Sequence, residues 1–208
     1  MKPIIVVNLK TYKQGKKVIE LAKDIEKVDK NIIIGVQISD IFEIAKKVKN
    51  PVYSQHVDYF KPGRNTGFIL PEAVKIDKGE GVFLNHSEHK LSFHILKKTV
   101  KRCKKIGLKV LIFASSLKEA KKIKRLKPNY LVVEPPELVA GKRSVSRAKP
   151  ELISKIKNKL NYKFLVGAGI KSKDDVKIAL KLGASGIAVS SVITKAGNPK
   201  KTLKELIK

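Results

Sequence analysis

The sequence contains no tryptophan and one cysteine, and only 6% of its 208 residues are aromatic. A lone cysteine cannot form an internal disulfide. Cys103 falls in step with Leu96 and Val100 on a helical face, which favours a buried structural thiol over a reactive one. No run of about 18 apolar residues occurs, so we expect no membrane-spanning helix. The chain passes from Met1 directly into an apolar segment without a small-residue cleavage site, so we expect no signal peptide and a cytoplasmic protein.

Acidic residues are also scarce. The chain has 18 Asp and Glu against 46 Lys and Arg, which gives a formal charge of +28. Such a balance is compatible with nucleic-acid binding. However, lysines recur in nearly every predicted helix and do not alternate with aromatic residues. We therefore interpret them as solvated helix surfaces and predict no specific nucleic-acid partner and no membrane contact. A field of this sign should still attract small anionic substrates.

The sequence alternates short apolar runs with amphipathic helical patterns from end to end. The runs predicted as strands are Pro3–Leu9, Ile32–Val36, Val52–Gln55, Gly81–Asn85, Lys109–Phe113, Tyr130–Val133, Phe164–Val166 and Gly186–Val189. Eight strand–helix units without interruption favour a closed (β/α)8 barrel over an open doubly wound sheet. No linker or low-complexity tract appears, so we expect residues 1–208 to form one domain.

Reactive side chains follow several of these strands. Glu134 directly follows a buried run and precedes two prolines, which can neither extend a ladder nor continue a helix. Lys10 follows the first strand and His86 the fourth. Because the chemistry of such barrels is carried by the loops after the strands, we expect the three groups to converge. Alone, each of these residues is as easily structural, and the prediction depends on their coincidence.

Small residues follow the last two strands, at Gly167-Ala168-Gly169 and Ser190-Ser191. Turns that lead into helices offer backbone N–H groups to a phosphate, so a phosphate site is favoured here. The other histidines, His56, His89 and His94, are interpreted as packing or loop residues. No pair of histidines has metal-ligand spacing with carboxylates, so we expect no metal and no cofactor.

Taken in order, the motifs resemble the triosephosphate isomerase family, in particular its short archaeal type. The stretches that carry the resemblance cover essentially the whole chain and are Asn8-Leu9-Lys10-Thr11, Gln55-His56-Val57-Asp58, Gly63-Arg64-Asn65-Thr66-Gly67, Pro71-Glu72-Ala73-Val74-Lys75, Asn85-His86-Ser87-Glu88-His89, Glu134-Pro135-Pro136-Glu137-Leu138, Gly167-Ala168-Gly169-Ile170 and Ala188-Val189-Ser190-Ser191.

The resemblance implies interconversion of dihydroxyacetone phosphate and D-glyceraldehyde 3-phosphate through an enediol(ate). Glu134 would be the base that moves a proton between two carbons. His86 would polarise the carbonyl oxygen, and Lys10 would stabilise the negative charge. The same resemblance implies supporting roles for further residues. These are substrate contacts from Asn8, Leu9, Val139, Gly169, Ser190 and Ser191, a carboxylate partner for Lys10 in Glu88, and a contact between Ser87 and Glu134.

The resemblance also implies that the loop around Thr66 reaches into the active site of a second subunit. We therefore expect a homodimer at minimum, and a tetramer by analogy with the archaeal type. One departure concerns the mobile lid after Glu134, where the family has a Gly-Thr-Gly tip and this chain has Ala140-Gly141-Lys142-Arg143. If closure requires a positive φ at Ala140, alanine costs about 1 kcal/mol or more. Attraction of phosphate by Lys142 or Arg143 would offset this cost.

Two other functions are compatible with parts of the pattern. A different barrel isomerase or synthase acting on a phosphorylated substrate would share the turns after strands seven and eight, but would not need Lys10, His86 and Glu134 together. A basic, non-enzymatic barrel that binds RNA or a membrane surface would use the lysines, although their distribution along the sequence argues against it.

Overall fold

A computed structural model describes residues 2–135 and 145–207 of the chain. Eight parallel strands close into a barrel in sequence order, and the last strand pairs with the first. The strands are β1 Ile4–Asn8, β2 Ile33–Val36, β3 Val52–Ser54, β4 Gly81–Leu84, β5 Lys109–Ala114, β6 Tyr130–Val133, β7 Leu165–Val166 and β8 Gly186–Val189. The predicted (β/α)8 barrel is thereby confirmed, and the carboxyl ends of all strands open at one rim.

Helices cover the outside of the barrel. They are α1 Lys16–Glu26, α2 Ile41–Lys47, α3 Pro71–Ile76, α4 Phe93–Lys105, α5 Leu117–Lys124, α6 Val145–Ala148, α7 Pro150–Leu160, α8 Lys173–Lys181, α9 Ser191–Thr194 and α10 Pro199–Ile207, with a 3-10 helix at Ile38–Asp40 before α2. Serine hydroxyls accept a backbone N–H at the start of three of them, at Ser92, Ser116 and Ser172, which satisfies donors that a helix leaves free at its N-terminus.

The core has two apolar layers because strand side chains alternate between the barrel interior and the helices. The interior is filled by Val6, Ile33, Tyr53, Phe83, Leu111, Phe113, Val132, Leu165 and Ala188. Large rings require small neighbours: a Cβ on Gly35 would lie only 2.0 Å from Cε2 of Phe83. Isoleucine, valine and leucine dominate the outer layer, where Cys103 is fully buried as predicted, and burial raises the pKa of its thiol to about 12.

The element boundaries differ from the sequence prediction by one or two residues. Pro3 and Leu9 lie outside β1, and Ile32, Gln55, Asn85 and Phe164 lie outside their strands, whereas β5 extends to Ala114. The two short helices α6 and α9 and the 3-10 helix were not predicted, because three or four residues are too few to show a helical period. Across residues 2–135 and 145–207, no helix is long and apolar enough to cross a bilayer.

Candidate active site

The ends of β1, β4 and β6 bring Lys10, His86 and Glu134 to one pocket at the rim of the barrel. The three residues are separated by 76 and 48 positions in the chain, and only closure of the sheet brings them together. The convergence expected from the sequence is therefore observed.

Lys10 is held in an unusual backbone conformation with φ of 49°, in the left-handed region. Its N–H donates to Oδ1 of Asn8 at 3.0 Å. Its carbonyl oxygen accepts from Nε2 of Gln55 at 3.0 Å. The ammonium lies 2.5 Å from Oε1 of Glu88, as the resemblance implied, and the Lys10 side chain is only 14% exposed. The cation is thus fixed at both its backbone and its tip.

His86 has a defined arrangement of ring nitrogens. The backbone N–H of Glu88 donates to Nδ1 at 3.1 Å, and a backbone N–H can only donate. In this arrangement Nδ1 is an acceptor, so the ring proton is on Nε2. The edge of Phe113 packs against the ring, with centroids 4.7 Å apart and an interplanar angle of 78°. His86 therefore presents a neutral N–H donor from a buried ring.

Glu134 is 9% exposed, and its Oε2 lies 3.0 Å from Nε2 of His86. The ring N–H is not aligned for a hydrogen bond, and Oε2 has no hydrogen-bond partner within the described part of the chain. The carboxylate also depends on Gly167, because a Cβ there would lie 2.6 Å from Oε1. A buried carboxylate oxygen without a donor is destabilised relative to water and is available to accept a proton.

A polar network supports the residue before His86. Asn85 has φ of 61° and donates from Nδ2 to the carbonyl of Phe113 and to Oε1 of Glu119. The Lys90 ammonium bonds both oxygens of Glu119, and the Ser115 N–H donates to Oε2. Burial raises the pKa of Glu119, but these donors outweigh it and hold that pKa below its ordinary value. The hydrogen bonds of Asn85 and Glu119 thus fix the turn that orients the His86 side chain.

The other wall of the pocket contains the predicted phosphate turns. Gly169, Ser190 and Ser191 line the same pocket as the three reactive groups. Ser191 begins α9, so its first turn presents backbone N–H groups without intrahelical partners. Oγ of Ser190 is buried and has no hydrogen-bond partner among the described residues. These donors lie where an anionic group of a ligand could be bound.

Some predicted site residues are placed elsewhere. Leu9 is buried in the outer core layer, and Thr66 is exposed in the loop before α3, so neither lines the pocket. Within residues 2–135 and 145–207, no hydrogen bond joins Ser87 to Glu134. Val139 and the lid tip 140–143 lie outside the described residues.

Sequence reasoning assigned no role to Gln55, Asn85 or Glu119, although these residues hold Lys10 and His86 in place. An amide or carboxylate that bonds a neighbouring strand's loop leaves no pattern in the sequence. The described ranges contain no group of three or more His, Cys, Asp or Glu side chains that could hold a metal ion.

Comparison with known proteins agrees with the family resemblance of the sequence motifs. Residues 3–208 match the family model described as triosephosphate isomerase. The triosephosphate isomerase of Methanocaldococcus jannaschii is 40% identical over 217 residues, covering 99% of this chain and 99% of the relative. That of Sulfurisphaera tokodaii is 39% identical over 215 residues, covering 99% of this chain and 94% of the relative.

A solved structure supports the fold independently. The crystal structure of triosephosphate isomerase from Bartonella henselae matches with a TM-score of 0.73 at 18% identity, covering 91% of this chain and 92% of that one. The family match spans nearly the full length, and the archaeal relatives are similar along their whole chains. The chain therefore belongs to the triosephosphate isomerase family.

Proposed function

We propose that this protein interconverts dihydroxyacetone phosphate and D-glyceraldehyde 3-phosphate, the isomerase step shared by glycolysis and gluconeogenesis. The observation that carries the proposal is the convergence of Glu134, His86 and Lys10 on one pocket from three separate strands. A different phosphate-binding barrel enzyme would not require these three groups together, and a non-enzymatic barrel would require none of them. Neither alternative is favoured.

Glu134 is proposed as the base that removes a proton from one substrate carbon and returns it to the next. A carbon acid needs a desolvated carboxylate, and the Glu134 side chain is buried with Oε2 free of hydrogen bonds in the described chain. When the proton leaves carbon, negative charge develops on the carbonyl oxygen of the substrate. A donor and a cation must already be in place to stabilise it.

His86 and Lys10 are proposed to supply that stabilisation. The Nε2–H of His86 is a neutral donor that can polarise the carbonyl oxygen and pass protons between the two substrate oxygens. The Lys10 ammonium would contact substrate in exchange for part of its contact with Glu88, whose side chain is 57% exposed. Asn8 is proposed to position Lys10 through the 3.0 Å bond to its backbone.

The phosphate of the substrate is proposed to bind Gly169, Ser190 and Ser191, together with Val139. The Ser190 hydroxyl, which has no hydrogen-bond partner among the described residues, and the first turn of α9 provide donors. We further propose that the Ala140 lid variant changes closure without abolishing activity. A liganded, closed structure in which no residue of 139–143 contacts the phosphate would contradict the compensation proposed for Lys142 and Arg143.

The test is a coupled assay of triose-phosphate interconversion. Wild type should turn over both substrates, and Glu134→Gln should lower kcat by about 100- to 10,000-fold, the range associated with a general base. Glu151→Gln, which alters an exposed carboxylate on α7, is the matched control and should retain wild-type kcat. A folded wild-type protein without isomerase activity, or equal rates for wild type and Glu134→Gln, would refute the proposal.

We also propose that the protein is a homodimer at minimum and a tetramer by analogy with the archaeal type. An open groove beside Lys10 and Glu88, lined in part by Gln55 and His89, offers a place for a second subunit's Thr66 loop. That loop also carries Phe68, which is 52% exposed. Light scattering should give at least twice the monomer mass, and Phe68→Asp should lower both the mass and kcat/KM.

The cytoplasm is the proposed location, because glycolytic substrates are found there. Cell fractionation should place the protein with soluble marker enzymes, and recovery in the membrane fraction would contradict this.

A further inference from the structure

Lysines occur in nearly every helix around the barrel, as the sequence indicated, but the net charge is not evenly distributed. Residues 86–127, which include α4 and α5, contain fourteen Lys and Arg and two Asp and Glu. Residues 16–49, which include α1 and α2, contain eight basic and six acidic residues. One side of the barrel is therefore nearly neutral, and the side formed by α4 and α5 is strongly basic.

Lys90, Arg102 and Lys109 on this side pair with carboxylates, but most of the other cations are exposed and have no ion pair in the described part of the chain. On α4, Lys97, Lys101 and Lys105 follow one another at intervals of four residues, so they form a ridge on one helix face. The neighbouring α5 and α7 add further exposed cations, and together these residues define the basic face: Lys97, Lys101, Lys105, Lys118, Lys121, Lys122, Arg125, Lys155 and Lys159. None of them lies within ion-pair distance of a carboxylate in the described part of the chain.

The two carboxylates within residues 86–127 are already engaged, whereas Glu151 on α7 is exposed and lies four residues before Lys155. Glu119 bonds Lys90, Asn85 and Ser115, and Glu88 bonds Lys10. Like charges four residues apart destabilise a helix, and no carboxylate of the described residues lies within ion-pair distance of Lys97, Lys101 or Lys105 to offset their repulsion. An extended anion on this face would offset it, so the structure favours a polyanionic partner over a small ion.

We propose that the basic face binds double-stranded nucleic acid through its phosphates, without reading base sequence. A duplex carries about one negative charge per 1.7 Å of its axis, so it offers a ridge of lysines a higher density of phosphates than a single strand does. Single-strand binding requires successive stacking rings, whereas Phe93 is the one large exposed ring on this side among the described residues. Membrane binding requires apolar anchors beside the lysines, and one exposed phenylalanine does not supply an apolar face.

The basic face lies on the side of the barrel, whereas Lys10, His86 and Glu134 lie at its rim. Duplex binding should therefore leave the substrate pocket open, and the two properties can be measured separately. The proposal does not depend on the isomerase function, whose assay serves here as a measure of correct folding.

The test is fluorescence anisotropy with a 24-base-pair duplex of mixed sequence, over a series of salt concentrations. The test variant replaces Lys97, Lys101, Lys105 and Lys121 by Gln. The control replaces Lys16, Lys17, Lys23 and Lys30, four exposed lysines on and after α1 at the opposite side of the barrel. Both variants lose four charges, so they differ only in where the charge is removed.

Wild type should bind with a Kd of about 1 to 100 μM at physiological salt, the range of non-specific complexes. The test variant should bind at least tenfold more weakly, and its slope of log K against log salt should be shallower by roughly 3 to 4, about 0.9 per lost phosphate contact. The control should remain within threefold of wild type. Isomerase kcat/KM and the melting temperature should be alike in all three proteins.

Three results would overturn the proposal. Equal weakening by both variants would mean that net charge alone drives binding. Tighter binding to a single strand, or to vesicles of anionic lipid, than to the duplex would assign the face to a different partner. Absence of duplex binding by wild type at 0.1 M salt would remove the proposed function of the face.

Discussion

The side-chain amide of Gln55 donates to the carbonyl oxygen of Lys10 at 3.0 Å. The same Nε2 lies 3.2 Å from Oδ1 of Asn8 and 3.2 Å from the carbonyl oxygen of Gly35. Lys10 needs this support because a lysine with φ of 49° occupies a sparsely populated backbone region that costs about 1 kcal/mol or more. Gln55 therefore holds the strained residue that carries the cation of the proposed active site.

The first prediction concerns this amide. Gln55→Ala should lower kcat/KM for triose phosphates by roughly 5- to 100-fold, because loss of a donor to buried acceptors costs about 1 to 3 kcal/mol. Gln14→Ala, which removes an exposed amide bonded to the carbonyl of Thr11, should leave kcat/KM unchanged. Steady-state kinetics of both variants decide the matter. An unaltered kcat/KM in Gln55→Ala would mean that Lys10 is held by its other contacts alone.

The second prediction concerns the space beside Glu134. A methyl group at position 167 would lie 2.6 Å from Oε1 and 3.2 Å from Cδ of Glu134, so the carboxylate must move. Because a displacement of about 1 Å in a catalytic group costs on the order of 100-fold in rate, Gly167→Ala should reduce kcat strongly and KM little. Gly197→Ala is the control, since nothing lies within 4 Å of its added Cβ. Equal kcat values for the two variants would refute the steric argument.

The barrel could be predicted from the sequence because each strand and helix shows a pattern that depends on its own residues alone. A strand buried on both faces is a short apolar run, and a covering helix has an apolar stripe, so Ile33–Val36 and Lys16–Glu26 are visible without neighbours. Exact boundaries depend on pairing with the next strand. Phe164 was predicted in a strand and lies outside β7, which has only two residues.

The same distinction, between patterns within one element and contacts between distant elements, explains which site residues could be predicted. Lys10, His86 and Glu134 could be found because each ends a strand and a closed barrel brings strand ends to one rim. The supporting residues depend on which loops become neighbours. Asn85 reaches Glu119, 34 positions away, and Gln55 reaches Lys10, 45 positions away. No periodicity marks such pairs, so only coordinates could identify them.

The third prediction concerns stability in acid. Donors from Ser115, Lys90 and Asn85 outweigh burial and lower the pKa of Glu119 below its ordinary value of 4.5 in the folded protein. The unfolded chain therefore binds the proton first, and the stability contributed by Glu119 is present above pH 4.5 and lost as pH falls through the folded-state pKa. Denaturant unfolding at pH 6 and pH 3 should show a smaller difference in Glu119→Gln than in wild type. Glu151→Gln, which alters an exposed carboxylate, should show the wild-type difference.

The fourth prediction concerns a histidine pair beside the pocket. The rings of His56 and His89 stack with centroids 4.1 Å apart, and Nε2 of His56 lies 3.4 Å from Oδ1 of Asp58. Burial, followed by the neighbouring His89, lowers the pKa of His56 from its ordinary value of 6.5, and Asp58 opposes the shift only in part. Between the two pKa values the unfolded chain binds more protons than the folded one.

Stability should therefore fall as pH decreases below about 6.5, well before the acid range in which Glu119 titrates. Replacing His56 by Gln keeps a polar side chain of similar length and removes the titrating group. The difference in unfolding free energy between pH 7.5 and pH 5.5 should consequently be smaller in His56→Gln than in wild type. His94→Gln, an exposed histidine on α4, is the control and should retain the wild-type difference. If His56→Gln loses as much stability as wild type over this interval, protonation of His56 is not what destabilises the protein, and its stacking on His89 has no bearing on the pH response.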